Sequence, residues 1–285
     1  MTGNPSIVMT AIAYIEQHLN EKLDLHMVAE ALHYSRYHLH RLFTETVGLT
    51  IHDYIVRRRI SEGAKLLVFS NRSILDVAIY SGYETQQAFS TAFKALYKHT
   101  PKQYREQVLF YPLQLPFILK EKPTLYDVDE AQLEELIMLA KEEDIPVWMD
   151  LVHLVIDGFP YLEERSYRSA LQKAINSHQA YLLKDEDIAI GTLLFDPERG
   201  SIEFMAVHPQ YRRSRVTKAF LNMILKELPD KNISITTFRE GDKADTGYRK
   251  EYKELGFAES ELLVEYGYPT QRFELKKKHE EQADE

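Results

Sequence analysis

The chain has 285 residues, of which 44% are hydrophobic and 28% charged, the composition of an ordinary soluble globular protein at a length comfortable for two domains. It contains no cysteine, which excludes disulfides, thiolate nucleophiles and cysteine-type zinc sites and fits a reducing cytosol. The formal net charge of −9 is unevenly spread: residues 1–107 hold 12 Lys and Arg against 10 Asp and Glu, and the remainder 23 against 34, so a phosphate-binding surface is expected in the first part. The opening MTGNPSIVMTAIAYIEQHLN has no basic stretch ahead of an apolar core, and no apolar run is long enough to span a bilayer. No signal peptide and no membrane partner are expected, and the location is expected to be cytoplasmic.

Residues 6–107 read as almost wholly helical. Apolar residues recur at helical spacing in Ile12, Ile15 and Leu19, then Val28 and Leu32, then Leu39, Leu42, Phe43 and Val47. Asn20 and Asp24 bracket a turn. Ser35 can cap a helix that Gly48 ends, Thr50 can cap a longer helix over 51–69, and Thr100-Pro101 supplies a cap followed by a first-turn proline. An internal repeat runs through this region. Leu25, Val28, Ala29 and Tyr34 recur as Ile74, Val77, Ala78 and Tyr83; after a one-residue slip, Ser35, Leu39 and Phe43 recur as Thr85, Phe89 and Phe93. Each copy is a short helix, a tight turn and a longer helix opening with Ser or Thr. Ala29 and Ala78 let two helices cross closely, and Gly82 suits a turn that needs positive φ.

Two such units in series, joined by one long helix, resemble the AraC/XylS DNA-binding domain over about residues 8–107. Gly82, Tyr83, Phe89, Phe93, Lys94, Pro101, Tyr104 and Arg105 fall at that family's closing positions. The resemblance implies a monomeric module that places recognition helices, about 35–47 and 85–97, in successive major grooves of promoter DNA, with RNA polymerase as a further partner. Candidate base-facing residues are Arg36, Tyr37 and His40 in the first unit and Gln86, Gln87 and Ser90 in the second, with the helix-opening Ser35 and Thr85 counted among the DNA-binding residues. Arginine matches guanine O6/N7 and glutamine matches adenine N6/N7. Arg41, Lys94, Lys98 and Arg57 are assigned to phosphates, which fix register without reading sequence. Of Arg57, Arg58 and Arg59, one, Arg59, is expected to be structural. Thr91 stands where the family commonly has arginine, and Gly63 where it has alanine, at a cost of ~1 kcal/mol in a helix interior. Leu39, Phe43, Phe89 and Phe93 are assigned to the core. His33, His38 and His40 have no patterned carboxylate partner and read as surface residues, so no metal site is expected.

Residues 108–124, VLFYPLQLPFILKEKPT, form an apolar, proline-broken linker expected to pack against a domain. From 125 to 278 helix and strand alternate: helices near 129–144 and 166–177, strands at 179–184, 188–195 and 201–207, a helix at 211–228, a strand at 232–238, a helix at 245–255, and strands at 257–265 and 272–276. Residues 279–285 read as a disordered acidic tail. The fold class is therefore multidomain: an all-α domain with two helix-turn-helix units, then an α+β domain with a mixed, mostly antiparallel sheet.

The order of elements, with EFMAVHPQYRRSRVTKAFLNMIL and YRKEYKELGF, resembles the GNAT acetyltransferase superfamily. The resemblance implies that Ala206 and Val207 bond the pantetheine arm of acetyl-CoA or another acyl-CoA through their backbone. It implies that Arg212, Arg213, Ser214, Arg215, Val216 and Thr217 surround the pyrophosphate at a helix N-terminus. Tyr252 is the implied acid and Glu203 the implied base. Arg215 and Thr217 replace residues that are usually Gly and Gly or Ala. A Cβ in a left-handed loop costs ~1–2 kcal/mol, while an arginine brings positive charge that favours a pyrophosphate; the altered loop leans toward a non-catalytic sensor of an acyl-CoA or other small effector. The alternative is a bifunctional regulator that acetylates an amine on a small molecule or protein.

Overall fold

A computed structural model describes residues 5–155, 163–212, 214–265 and 268–276. The first part is a run of helices: α1 (Pro5–Gln17), α2 (Leu25–Ala31), α3 (Arg36–Val47), α4 (Ile51–Phe69), α5 (Ile74–Tyr80), α6 (Gln86–Tyr97) and α7 (Pro101–Gln107). Side chains start most of them. Asp24, Ser35, Thr50, Ser73, Thr85 and Thr100 each accept the backbone N–H three residues on, satisfying one of the donors a helix N-terminus leaves open. Gly48 closes α3 at φ +75°, and Gly82 turns between α5 and α6 at the same value, both in the left-handed region where a Cβ is strained.

The repeat becomes two packed units. In the first, Leu39, Phe43 and Val47 of α3 meet Val28 and Ala29 of α2 and Ile12 and Ile15 of α1. In the second, Phe89 and Phe93 of α6 meet Val77 and Ala78 of α5 and Ile60 and Ala64 of α4. Gly63 has a packing reason that helix propensity hides. A Cβ there would lie 2.7 Å from the Phe89 ring and 2.8 Å from Ser81 Oγ, so α4 and α6 touch only because position 63 is bare.

The three consecutive arginines of α4 are all structural, which corrects the expectation that Arg59 alone would be. Arg58 donates to Glu16 (2.7 and 2.9 Å), Glu62 (3.0 Å) and the Gln114 carbonyl (2.9 Å). Arg59 donates to the Leu19 and Glu21 carbonyls. Arg57, assigned above to a phosphate, is buried and donates to the Ala244 carbonyl (2.7 Å) and the Lys243 carbonyl (3.2 Å) of the second domain. A guanidinium committed to two buried carbonyls is not available to DNA.

The linker lies along both units. Tyr111 and Leu113 are buried against the second, with the Tyr111 carbonyl accepting from Tyr97 Oη and Tyr104 Oη. Phe117 and Leu119 are buried in the first. Asp185, fully buried, gathers the end of the linker: it accepts from Thr124 and Leu125 backbone N–H, Thr124 Oγ1, Lys120 Nζ and Tyr211 Oη. These donors hold its carboxyl down at about 2 against the desolvation of burial, which by itself would raise it.

The second domain is one mixed sheet, in the order β1-β2-β3-β4-β5-β7-β6, flanked by helices. Its strands are β1 (Met138–Leu139), β2 (Ala180–Asp185), β3 (Ile188–Asp196), β4 (Ser201–Val207), β5 (Ile233–Phe238), β6 (Ala258–Glu265) and β7 (Tyr268–Leu275). Its helices are α8 (Glu130–Leu136), α9 (Ile145–Leu154), α10 (Glu164–Asn176), α11 (Val216–Glu227) and α12 (Tyr248–Glu254). Neighbouring strands run antiparallel except β4 and β5, which are parallel. One core lies under α8, α11 and α12, the other under α9 and α10.

Three expectations for this domain change. The helix over 129–144 stops at Leu136, because Met138 and Leu139 pair with Leu182 and Tyr181 and extend the sheet instead. Helix α9 stands where no helix is expected: its run IPVWMDLVHL is mostly apolar, with Asp150 and His153 its only polar side chains, and the structure buries Trp148, Met149, Leu151 and Val152. The helix over 211–228 begins at Val216, preceded by a short 3-10 turn at Pro209–Tyr211. The expected tail, 279–285, and Arg213 lie outside the described residues.

Candidate functional site

Two surfaces carry the candidate residues. On the first, α3 and α6 are equal in length and equivalent in position. The caps Ser35 and Thr85 correspond, and Arg36, Tyr37, His40 and Arg41 correspond to Gln86, Gln87, Ser90 and Thr91. Arg36, Tyr37, His40, Arg41, Gln86, Gln87 and Lys94 are exposed, and Ser90 is half-buried. Tyr37 is 79% exposed, extreme for a residue that normally packs, and it stands in the first turn of α3. The opposite faces hold Leu39, Phe43, Phe89 and Phe93 in the cores, each 0% exposed, so each helix is held by one side and presents the other. The connecting helix α4 has 19 residues, or roughly 28 Å at 1.5 Å per residue. That is comparable to the ~34 Å between successive major-groove sites on one face of a duplex.

Lys98 differs from the other basic candidates. It closes α6 at φ +60°, the position Gly48 holds in α3, and its ammonium is paired with Asp242 Oδ1 at 2.7 Å and bonded to the Ala95 carbonyl at 2.8 Å. The structure therefore places it at the junction between domains.

The second surface is a cleft in the sheet. The parallel pairing of β4 with β5 is confined to Ser201 with Ser234 and Ile202 with Ile235. Beyond it the strands part. On the other side of β4, Leu194 pairs with Phe204 but Phe195 with Ile202, so Glu203 is the extra residue of a bulge. A bulge bends its strand and increases local twist, and here it falls where β4 leaves β5. The opening has a volume of about 950 Å³ and is lined by Glu203, Phe204, Thr236, Phe238, Tyr252 and Tyr268, among others. Ala206 and Val207 pair with Thr192 and Gly191 of β3 and have no β5 partner. That leaves the main chain of Ala206 and Val207 as an edge on the side of β5.

Tyr252 lies in this cleft on α12, almost fully buried. Burial, reinforced by the neighbouring Glu251 carboxylate, pushes its phenol well above its ordinary value, so it stays protonated at neutral pH. Glu203 is exposed and lines the same cleft. The structure thus brings both residues singled out for proton transfer to one opening.

The loop that follows β4 departs from the expected strain. Arg215 sits at φ −93°, outside the left-handed region, so its Cβ carries no backbone penalty. Its side chain is 55% exposed and turned toward Glu130 of α8 at 3.7 Å. The expected left-handed strain at Arg215 is therefore corrected: the helix starts from an ordinary backbone. Thr217 is buried and donates to Glu251 Oε1 at 2.5 Å; burial raises the Glu251 carboxyl above its ordinary value. Ser214 donates to the Tyr211 carbonyl at 2.6 Å. Arg212 packs over the Tyr248 ring and donates to its hydroxyl at 3.3 Å. Buried His208 is pushed down to about 4, mainly by desolvation, and is neutral at pH 7. Tyr248 is marked as a neighbour of Tyr252 by its i,i+4 spacing on α12, but nothing in the sequence marks Phe238 or Tyr268, which the parting of the strands brings to the same space.

A helix-turn-helix domain family model matches residues 28–107, and an acetyltransferase (GNAT) family model matches residues 148–257. The helical part is similar to the regulatory protein SoxS of Escherichia coli (strain K12), 35% identical over 106 residues, which are 37% of this chain and 99% of SoxS. It is also similar to the uncharacterized HTH-type transcriptional regulator YbfP of Bacillus subtilis (strain 168), 35% identical over 98 residues, 34% of this chain and 33% of YbfP. The chain thus spans nearly all of SoxS but only a third of YbfP. A GNAT-family acetyltransferase structure from Bacillus cereus aligns at 19% identity and a TM-score of 0.37, covering 50% of this chain and 96% of its own. The chain belongs to the AraC/XylS-type helix-turn-helix DNA-binding transcription regulators and carries a GNAT acetyltransferase domain behind its helical one.

Proposed function

We propose that the chain is a cytoplasmic one-component regulator in which α3 and α6 read duplex promoter DNA and the cleft of the second domain binds an acyl-CoA as effector. The observation that carries the effector half of this reading is the cleft itself: an opening of about 950 Å³ between two parting strands, walled by aromatic rings and bordered by the unpaired edge of β4. The residues present suit such a ligand. Arg215 leaves the loop without strain, and the backbone of Ala206 and Val207 faces no partner strand in β5. Bound there, an acyl-CoA would supply a thioester. The chain's own part is to hold the arm along β4 and exclude water with Phe204, Phe238 and Tyr268.

On the DNA side, Arg36 is assigned to guanine and Gln86 and Gln87 to adenine, with Ser35, Tyr37, His40, Thr85 and Ser90 beside them and Arg41 and Lys94 on phosphates. The test is a titration of the full chain with duplex DNA at several salt concentrations, and calorimetry with acetyl-CoA. Affinity for DNA should fall steeply with salt, because each neutralised phosphate releases counterions. DNA binding indifferent to salt would overturn the first half of the reading, and no heat or saturation with acetyl-CoA the second.

A second reading rests on Tyr252 and Glu203. A phenol that stays protonated inside the cleft could give its proton to a departing thiolate, and Glu203 could accept one from an amine. This reading expects acetyl transfer to small amines that Tyr252→Phe abolishes while acetyl-CoA still binds. The sensor reading expects no transfer by either form.

A further inference from the structure

The second domain grips the two helix-turn-helix units at the same place. Gly48 and Lys98 are equivalent in the repeat: each is the left-handed residue that closes a recognition helix, at φ +75° and +60°. Gly48 faces Arg212, whose Cδ would lie 3.7 Å from a Cβ at position 48, and α3 rests against the Pro209–Tyr211 turn. Lys98 is held by Asp242. Arg212 belongs to the loop that leaves β4, and Asp242 to the loop that leaves β5. The same second loop takes Arg57 of the connecting helix through the carbonyls of residues 243 and 244.

Those two loops follow the two strands whose parting makes the cleft, and the cleft wall reaches both. The Tyr268 hydroxyl donates to Asp242 Oδ2 at 2.9 Å, and Asp242 Oδ1 takes Lys98. Tyr248 accepts from Arg212 at 3.3 Å, and its backbone N–H donates to Asp245 of the second loop at 2.9 Å. Tyr248 and Tyr268 both line the cleft. A ligand wedged between β4 and β5 therefore bears on two rings, each one contact from a residue at the end of a recognition helix: Asp242, which pairs with Lys98, and Arg212, which lies beside Gly48.

We infer that occupancy of the cleft sets the spacing of the two recognition helices, the β4 loop carrying the first unit and the β5 loop the second. The inference rests on the reading of the cleft as an acyl-CoA site and adds how that site is regulatory. Recognition helices must meet successive grooves in register, so a small change in their separation changes affinity for DNA. By linkage, DNA must then change affinity for the cleft ligand by the same factor.

The experiment uses the full chain, acetyl-CoA as probe and a duplex selected by the chain from a random pool. Acetyl-CoA is titrated calorimetrically with and without saturating duplex, and the duplex is titrated with and without acetyl-CoA. Both pairs should differ by one common factor of at least about fivefold. The absence of native cysteine allows spin labels at Glu30→Cys and Ile79→Cys, exposed and equivalent positions of α2 and α5. Their separation, read by double electron–electron resonance, should shift when acetyl-CoA saturates the chain. Asp242→Asn should keep acetyl-CoA affinity within about twofold and bring the linkage factor close to one. Neither the reciprocity nor the distance measurement depends on that variant folding. If acetyl-CoA binds but the factor is one, or the label separation stays fixed, the inference fails and the cleft reading stands. A full linkage factor in Asp242→Asn overturns the route through the β5 loop. If acetyl-CoA does not bind, both the inference and the cleft reading are overturned.

Discussion

The two helix-turn-helix units share a repeat, a cap chemistry and a core, and they differ in what holds them to the rest of the molecule. The first is anchored by apolar burial: Phe117 and Leu119 of the linker and Leu154 of α9 lie in its core, with Tyr54 stacked on Phe117 at 5.3 Å. The second owns its linker contacts, Tyr111 and Leu113, and meets the second domain through one ion pair and the buried Arg57. Their exposed faces differ in charge too. The first carries Arg36 and Arg41 where the second carries Gln86 and Thr91. A unit fixed by apolar packing resists displacement, because its partners lose area at every step. The second unit's contacts are polar and largely buried, so separating it would leave the Arg57 guanidinium without its carbonyl partners. The two units are therefore held by different kinds of contact.

The largest test of this contrast is Phe117→Ala. Phe117 is 5% exposed within the first unit, and its loss should cost ~3–5 kcal/mol in urea denaturation followed by circular dichroism. A loss below 1 kcal/mol would mean that the linker merely covers the first unit. On the DNA side, Arg36→Ala should cost ~1–3 kcal/mol and relax preference at one base step, measured by anisotropy on duplexes varied base by base. Lys94→Ala should instead weaken all sequences about equally and lower the salt slope by ~1. If the two variants behave alike, Arg36 is not a base reader. The charge difference between units is sharpened by Thr91→Arg, an exposed position, which should raise the salt slope by ~0.9 and tighten binding to every duplex.

Gly63→Ala sets propensity against packing. Alanine gains ~1 kcal/mol in a helix interior, but its Cβ would meet the Phe89 ring at 2.7 Å in a core with no room to yield, an overpacking worth ~1–3 kcal/mol. The net expectation is a loss of up to ~2 kcal/mol in thermal or urea unfolding, centred on the second unit; a stabilised variant would show that the α4–α6 contact relaxes freely. The smallest effect is expected for Arg215→Gly. With no left-handed backbone to relieve and an exposed side chain against Glu130, it should change acetyl-CoA affinity by ~0.5 kcal/mol or less in calorimetry. A tenfold gain would restore the steric view of that loop, and a tenfold loss would place its guanidinium on the ligand.

Much of the helical domain is legible in the sequence because its signals are local. A cap bonds an N–H three residues away, an apolar stripe is set by the 3.6-residue period, and a repeat compares the chain with itself, so Ser35, Thr50, Thr85, Thr100 and the buried Val28, Ala29, Val77 and Ala78 can be read directly. Strands β3 and β4 are legible in the same way, whereas Glu203 and Tyr252 stand out only through the resemblance to the GNAT superfamily. Where contact order is long the reading fails. Met138 and Leu139 look helical until Leu182 and Tyr181 pair with them, and α9 carries too few polar side chains for its exposed face to stand out. Arg57 looks like its neighbours until carbonyls 186 and 187 residues away claim it.

Local signals suffice for the two units, their caps and cores, and most strands of the second domain. Each of these follows from hydrogen bonds and hydrophobic periods spanning a few residues. Long-range placement settles the rest: Glu203 as a bulge, the parting of β4 and β5 into a cleft, the ordinary backbone of Arg215, the pairing of Lys98 with Asp242 and the approach of Arg212 to Gly48. Those facts depend on where strands separate and which distant groups meet, and no local propensity encodes the direction of a side chain across a domain junction.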